Sequence, residues 1–486
     1  MRGFCGFAVA LWVFGLGPAP PLGAQPVTNP SASTRILTLE EAIELALVNN
    51  LNLQSTFDVV QGAQIGENLA ESRFNFKVTP SFARGFGEQS LVDQTLGLEV
   101  SKLLPFGTTV TGSMRNDWAG SELGNFNNSA LSFGVTQPLL RGFGQRTTEY
   151  DLENAKRNLQ SSERNLELSR QRLAVDVVAS YYNIVRQSGL VDVAEKSLER
   201  NRELLRASEA RLEVGLASKL DVFRAELQLS QAEDAVIFRK EALELALDAF
   251  KFNLGLAPSE TVALDMVEPE YDPAEVDVEA LTALALRSRI EMHEETDRID
   301  DAERSLAVSR QNLLPQLDLN LRYERRGLGE TFASSFDFID NAFNLFLSTS
   351  YPLDRSSENA SYAMSQIDVA ARRRQLRLVE YNIANEVRAA ARNLERTGKS
   401  ILLQERNIDF ADKQLRLATL RYQRGLASNF DIIDAENNLI QARSNYVSLV
   451  SDYHVARIEL KRVTGTLDVV SEFAPGNFLP SARHHP

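Results

Sequence analysis

Cysteine is almost missing: the 486 residues contain one, Cys5. A disulfide framework and a thiolate metal site are thereby excluded. Long apolar runs are missing too. None approaches the roughly 20 consecutive residues that a transmembrane helix needs, so any membrane insertion has to be by β-strands. The longest, Phe4 to Leu16, follows Met1-Arg2 and precedes Pro18 to Pro21 and Leu22-Gly23-Ala24. This reads as a secretory signal peptide, residues 1–24, cleaved after Ala24. Gln25, not a cysteine, then leads the mature chain, so no lipid anchor is expected. Basic residues are in deficit, with 52 Lys and Arg against 66 Asp and Glu and a formal net charge of −14. Removing Arg2 with the signal makes the chain more acidic still. Phosphate contacts need clustered cations, which excludes nucleic acid as a partner. Histidine is scarce, and His293, His454, His484 and His485 show no ligand spacing, so no metal and no cofactor is expected. There is no nucleophile elbow and no phosphate loop. The scattered carboxylates read as solvated helix faces, and the chain is not expected to be an enzyme. What is present is 43% hydrophobic residues, enough for a folded core.

Proline is absent between Pro138 and Pro258 and between Pro352 and Pro475. There, apolar residues recur every seven positions: Leu159, Leu166 and Leu173; Leu198, Leu205 and Leu212; Leu394, Ile401, Ile408, Leu415 and Tyr422. This is the period of helices packed as coiled coils. A helix from about Gln145 to Glu213 would be roughly 100 Å long at 1.5 Å per residue, which suits a tube or rod and not a compact domain. Gly215 and Gly425 suit the left-handed residue that ends a helix, and Ser218-x-x-Asp221 and Ser428-x-x-Asp431 restart one. Two helical hairpins are expected, 145–253 with its tip at 214–218 and 356–464 with its tip at 424–428.

The two hairpins belong to an internal repeat. Residues 211–232 recur at 421–442 without a gap, half of them identical, including Gly215/Gly425, Asp221/Asp431 and Ala225/Ala435. The same offset pairs Gly255 with Gly465. Nearby offsets pair Pro138 with Pro352, Pro80 with Pro315, and Ala46-Leu47 with Ala285-Leu286. The expected units are 25–257 and 258–466, followed by a tail, 467–486.

Ahead of each long helix the period switches to two. Leu317, Leu319, Leu321 and Tyr323 alternate with polar residues, and Phe343, Leu345, Leu347 and Tyr351 mark a second strand ending at Pro352. One apolar and one polar face on roughly ten-residue strands is the signature of a membrane β-barrel. In the first unit, residues 78–86, 95–104, 108–118 and 129–139 look extended, the middle two separated by Pro105-Phe106-Gly107. Four to six strands cannot close a barrel, which needs about eight, and an open edge is not tolerated in hydrocarbon. The chain must oligomerise.

The pattern Tyr-x-x-Gly-Leu-x-Ser-x-x-Asp-hydrophobic-hydrophobic-x-Ala, which occurs twice in its essentials after proline-ended strand pairs, resembles the TolC outer-membrane efflux proteins. The likeness runs from Leu39-Glu-Glu-Ala-Ile-Glu-Leu-Ala-Leu47 to about Gly465. It implies a mainly α fold with a transmembrane β-barrel portion. In that family a homotrimer gives four strands per protomer to a twelve-stranded barrel, and two helical hairpins per protomer to a periplasmic tunnel closed at rest. The tunnel docks on a periplasmic adaptor protein, which links it to an inner-membrane pump. By position, Gly215, Leu216, Gly425 and Leu426 would touch the adaptor. Asp431 and Asp434 would line the entrance, and Asp221 and Tyr422 would form a hydrogen-bonded pair that holds it shut. Rings of carboxylates there would favour cations and raise one another's pKa. One family gate arginine is replaced by Ala427, with Arg424 nearby as a candidate substitute. Drug efflux, metal efflux and type I protein secretion all use such channels, so the cargo stays open.

Simpler explanations stand beside these. Asp221 and Asp431 can complete capping boxes, and Gly215 and Gly425 can be plain turn residues. Capping does not explain Asp434. The segments around Pro105 either extend an extracellular loop or add two strands. Against the channel stand an elongated periplasmic coiled-coil scaffold or adaptor without a barrel, and an envelope enzyme in a helical frame. The alternating strands weigh against the first and the missing catalytic constellation against the second.

Overall fold

In a computed structural model, which describes residues 35–85, 92–121, 124–265, 271 and 276–469, the chain runs twice through one series of elements. The expected signal peptide, residues 1–24, and the part of the expected tail beyond residue 469 lie outside the described residues. The first pass contains β1 (Arg35–Leu37), α1 (Leu39–Asn49), α2 (Leu51–Glu71), four strands, a short α3 (Gln145–Thr148), α4 (Tyr150–Glu213) and α5 (Lys219–Leu254). The second contains β6 (Val262–Leu264), α6 (Val278–Ser288), α7 (Ile290–Gln311), two strands, α8 (Ser356–Gln423) and α9 (Asn429–Val463). A parallel ladder of β1 with β6 ties the two passes together.

The uninterrupted helix formers of the proline-free stretches give α4 its 64 residues and α8 its 68, about 100 Å each at the α-helical rise. The long helix α4 packs on the shorter α2, α5 and α9, and α8 packs on α7 and α9. Small residues line the seams near the tips. Ala225 and Ala232, Ala411 and Ala418, and Ala435 and Ala442 are all buried, which lets the backbones approach closely. The largest core gathers where α1 meets α4 and α5, around Val177, Val178, Phe250 and Leu254. Leu467 and Val469 also pack into it, so the start of the expected tail is anchored in the first unit. No helix among the described residues is long and apolar enough to cross a membrane.

β2 (Lys77–Gly85), β3 (Val92–Leu103), β4 (Thr109–Ser121), β5 (Gly124–Pro138), β7 (Gln316–Gly329) and β8 (Asp340–Ser350) form one antiparallel sheet in that order. Six strands stand where the resemblance implied four, because residues 92–121 pair on both sides inside the sheet. The turn at Pro105-Phe106-Gly107 does not extend an extracellular loop. It lies at the helical end of the sheet, where the Gly144 N–H donates to the Phe106 carbonyl at 3.2 Å.

The register sorts side chains by chemistry. Val78, Phe82, Leu96, Leu98, Met114, Leu131, Phe133, Leu319, Leu321, Tyr323, Phe343, Leu345 and Leu347 fall on one face, and nearly all are exposed. The other face carries Thr95, Glu99, Ser113, Arg115, Asp117, Ser132, Thr136, Asn320 and Ser348. Apolar and polar faces of this kind fit lipid on one side and water on the other.

Candidate gate and docking tips

Both helical hairpins reverse by the same device. The N–H of Gly215 donates to the carbonyl of Leu212 and that of Leu216 to the carbonyl of Arg211, a Schellman closure that satisfies the last carbonyls of α4. Gly425 and Leu426 repeat it on Tyr422 and Arg421. At φ of 74° and 76°, both glycines take a conformation that a Cβ disfavours. Each turn therefore presents a leucine with little cover: Leu216 is 69% and Leu426 68% exposed.

The following helices begin with reciprocal caps. Ser218 accepts from the Asp221 N–H, and the Asp221 carboxylate accepts from the Ser218 N–H at 3.1 Å and hydroxyl at 2.7 Å. Ser428 and Asp431 repeat this, at 2.7 Å from the N–H and 3.0 Å from the hydroxyl. These bonds favour the ionised forms. The Ser218 hydroxyl holds Asp221 below the usual carboxylate range, with burial opposing. The Ser428 backbone N–H does so for Asp431, within one protomer. Asp434 lies one turn along α9 from Asp431, exposed like it, and among the described residues accepts a single long bond, 3.4 Å, from the Asn438 amide. Spacing of i and i+3 sets the two carboxylates on one helix face.

The Asp221–Tyr422 bond implied by the resemblance is not made within the chain. Asp221 is engaged in its cap. Tyr422 is held by the other hairpin: the Arg211 guanidinium lies 4.4 Å from its ring centroid and donates to its carbonyl, and its hydroxyl is 3.3 Å from that of Ser208. Arg424 is exposed and forms no ion pair among the described residues, so within the chain Arg211, not Arg424, is the arginine at this junction.

Two further contacts join α9 to the first hairpin, and the sequence reading missed both. Asn429, fully buried, donates to the Ser208 hydroxyl at 3.1 Å and to the Asp221 carbonyl at 2.9 Å. Glu436, 3% exposed, accepts from Arg200 Nε at 2.7 and 2.8 Å and pairs with Nη2 at 2.6 Å. Arg200, Leu204, Arg211, Tyr422, Ile432 and Glu436 surround a cavity of about 710 Å³ between the hairpins. One signal was available: Glu436 matches Glu226 in the repeat, yet Glu226 is exposed. Arg200 matches Phe410, which removes its ion pair from the second copy.

The model of the family described as "Outer membrane efflux protein" matches residues 95–255 and 281–466. Outer membrane protein TolC of Vibrio cholerae is 21% identical over 326 residues, 66% of this chain and 74% of that protein. A crystal structure of CusC, described by its conformational changes on folding and transmembrane channel formation, superposes with a TM-score of 0.69 at 18% identity, covering 93% of this chain and 99% of that one. The outer membrane protein VceC of Vibrio cholerae gives 0.68 at 17% identity, over 88% and 96%. At these identities the superpositions establish the fold. The family model spans most of the chain and both helical hairpins, and on that match this chain belongs to the outer membrane efflux protein family, a family of channel proteins.

Proposed function

We propose that three copies of this chain form one export conduit, a β-barrel in the outer membrane continued by an α-helical tunnel in the periplasm. Its tips dock on a periplasmic adaptor bound to an inner-membrane pump. The observation that carries this reading is a sheet with one apolar face and two free edges, set on helices about 100 Å long. Outer-membrane lipid would cover the apolar face and neighbouring copies the edges, because hydrocarbon leaves unpaired backbone groups unsatisfied.

The repeat supports a closed ring. Within the chain α4 packs on α9. The equivalent pairing of α8 with α5 is not made, and Phe410 and Leu417 on α8 and Phe223 and Leu227 on α5 stay exposed. Phe410 and Leu417 occupy the positions of Arg200 and Ala207, which line the α4–α9 cavity. A second copy supplying α5 to α8 would repeat the internal contact between protomers.

In this conduit Asp431 and Asp434 form the acidic entrance, one pair from each copy, and Asp221 and Tyr422 lie beside it. The entrance opens when α8 and α9 move against α4. Gly215-Leu216 and Gly425-Leu426 meet the adaptor. The reading is tested by photo-crosslinking in intact cells with p-benzoylphenylalanine at Leu216 and Leu426. An adduct with an inner-membrane-anchored periplasmic protein, abolished by Leu216→Asp/Leu426→Asp in trimers of normal abundance, is the expected result. Trimers that export normally yet give no adduct from either tip would refute the docking.

A further inference from the structure

We infer that all six strands of each chain cross the bilayer, so that three copies close a barrel of eighteen strands whose bore matches that of the helical tunnel. The inference rests on the trimeric channel reading above and concerns the β3–β4 hairpin, which that reading leaves free to sit inside or outside the lipid.

Three observations place the hairpin in the lipid. β3 has 12 residues and β4 has 13, against the roughly 9–11 that span a bilayer. Its turn contacts the chain segment where β5 leaves the sheet: a Cβ on Gly107 would lie 2.7 Å from the Gly142 carbonyl oxygen and 3.1 Å from the Pro138 ring. Both strands therefore run down to the level at which β5 ends. Their apolar residues, Leu96, Leu98 and Met114, continue the exposed face formed by Phe82 on β2 and Leu131 and Phe133 on β5. A hairpin standing in water would have no reason to keep that face.

The opposite face is joined just as continuously. Thr95 donates to Asp117 at 2.7 Å between β3 and β4, and the hydroxyls of Ser113 and Ser132 meet at 2.7 Å between β4 and β5. Thr136 then donates to Asn320 at 3.0 Å, and Asn320 to Ser348 at 3.0 Å, reaching β8. Side-chain hydrogen bonds thus run from β3 to β8 on the lumen face.

The dimensions agree. Eighteen strands spaced about 4.8 Å and tilted about 40° make a ring about 36 Å across, and twelve make one about 24 Å across. The tunnel beneath, built from α2, α4, α7 and α8 of three copies, places twelve helices on a ring about 34 Å across at an interaxial distance of about 9 Å. With eighteen strands the barrel joins the tunnel without a step, and the narrowest point is left to the helical tips.

The test uses spin labels on single cysteines introduced into the mature chain, which has none of its own once residues 1–24 are removed, in trimers reconstituted into liposomes. Labels at Leu98 and Met114 should collide with dissolved oxygen and be shielded from a water-soluble nickel chelate, and labels at Glu99 and Ser113 should show the reverse. Leu345 and Asn344 on β8 are the reference pair. Reversal at both pairs supports the eighteen-stranded barrel. Water exposure of Leu98 and Met114, with Leu345 still in lipid, would overturn it and leave a twelve-stranded channel. Loss of the alternation at Leu345 and Asn344 as well would remove the channel reading itself. Electron cryomicroscopy of the unlabelled trimer, counting eighteen or twelve strands in cross-section, decides the matter where labelling perturbs folding.

Discussion

Arg200 on α4 reaches across to Glu436 on α9 and holds both carboxylate oxygens, with Nε at 2.7 and 2.8 Å, beneath a side-chain surface that leaves Glu436 almost no solvent. Truncating one partner of such a pair leaves an uncompensated buried charge at a cost of about 3–5 kcal/mol. Arg200→Ala should therefore loosen the second hairpin from the first and raise the conductance of the resting channel. The pair Arg200→Met/Glu436→Leu should largely restore the closed level, because apolar replacement of both partners removes the desolvation cost with the bond. Single-channel recording of the wild type and these two variants checks this.

Tyr422 provides a second test of what holds the hairpins together. Its ring is clamped by Arg211, and its hydroxyl makes only a 3.3 Å contact with Ser208. Tyr422→Phe is expected to keep the closed state, whereas Arg211→Ala should weaken it. The opposite order would mean that the hydroxyl, through a partner in a neighbouring copy, carries the link.

The tip caps make the hairpin ends sensitive to acid. Asp221 and Asp431 have folded-state pKa values below their unfolded ones. Their contribution is therefore present above the ordinary carboxylate pKa of about 3.9 and is lost as pH falls through the lower folded value. Hydrogen exchange at 214–222 and 424–432 should accelerate below about pH 4 while α4 and α8 stay protected. Ser218→Ala, which removes one cap at a cost of about 1 kcal/mol, should bring the faster exchange at 214–222 to neutral pH.

Gly215→Ala and Gly425→Ala force a Cβ into the left-handed region, each at about 1–2 kcal/mol. The loss should appear as local fraying at the tips in hydrogen exchange, with the thermal stability of the barrel unchanged. A global loss of trimer would show that the turns do more than end helices.

Much of this architecture was legible in the sequence, because its devices are periodic and local. The proline-free heptads gave α4 and α8, Gly215 and Gly425 gave the reversals, and Ser218-x-x-Asp221 and Ser428-x-x-Asp431 gave the caps. Alternation at Leu317 to Tyr323 gave a barrel strand, and residues 95–118 were read as extended without being placed. Their place depended on pairing with β2 and β5 and on where the Pro105 turn lies, and neither is encoded locally. The Arg200–Glu436 pair was invisible for the same reason, its members standing 236 positions apart in the chain. The Asp221–Tyr422 bond that the resemblance implies is not made within one chain, where the nearer Ser218 caps the aspartate.

The central claim, a channel with an acidic mouth at Asp431 and Asp434, is met most directly by single-channel currents from the mature protein in planar bilayers, compared with Asp431→Ala/Asp434→Ala. The predicted result is a small cation-selective conductance that multivalent cations block, with the block weakened in the double variant. Anion preference, or block unchanged by removing both carboxylates, would contradict it.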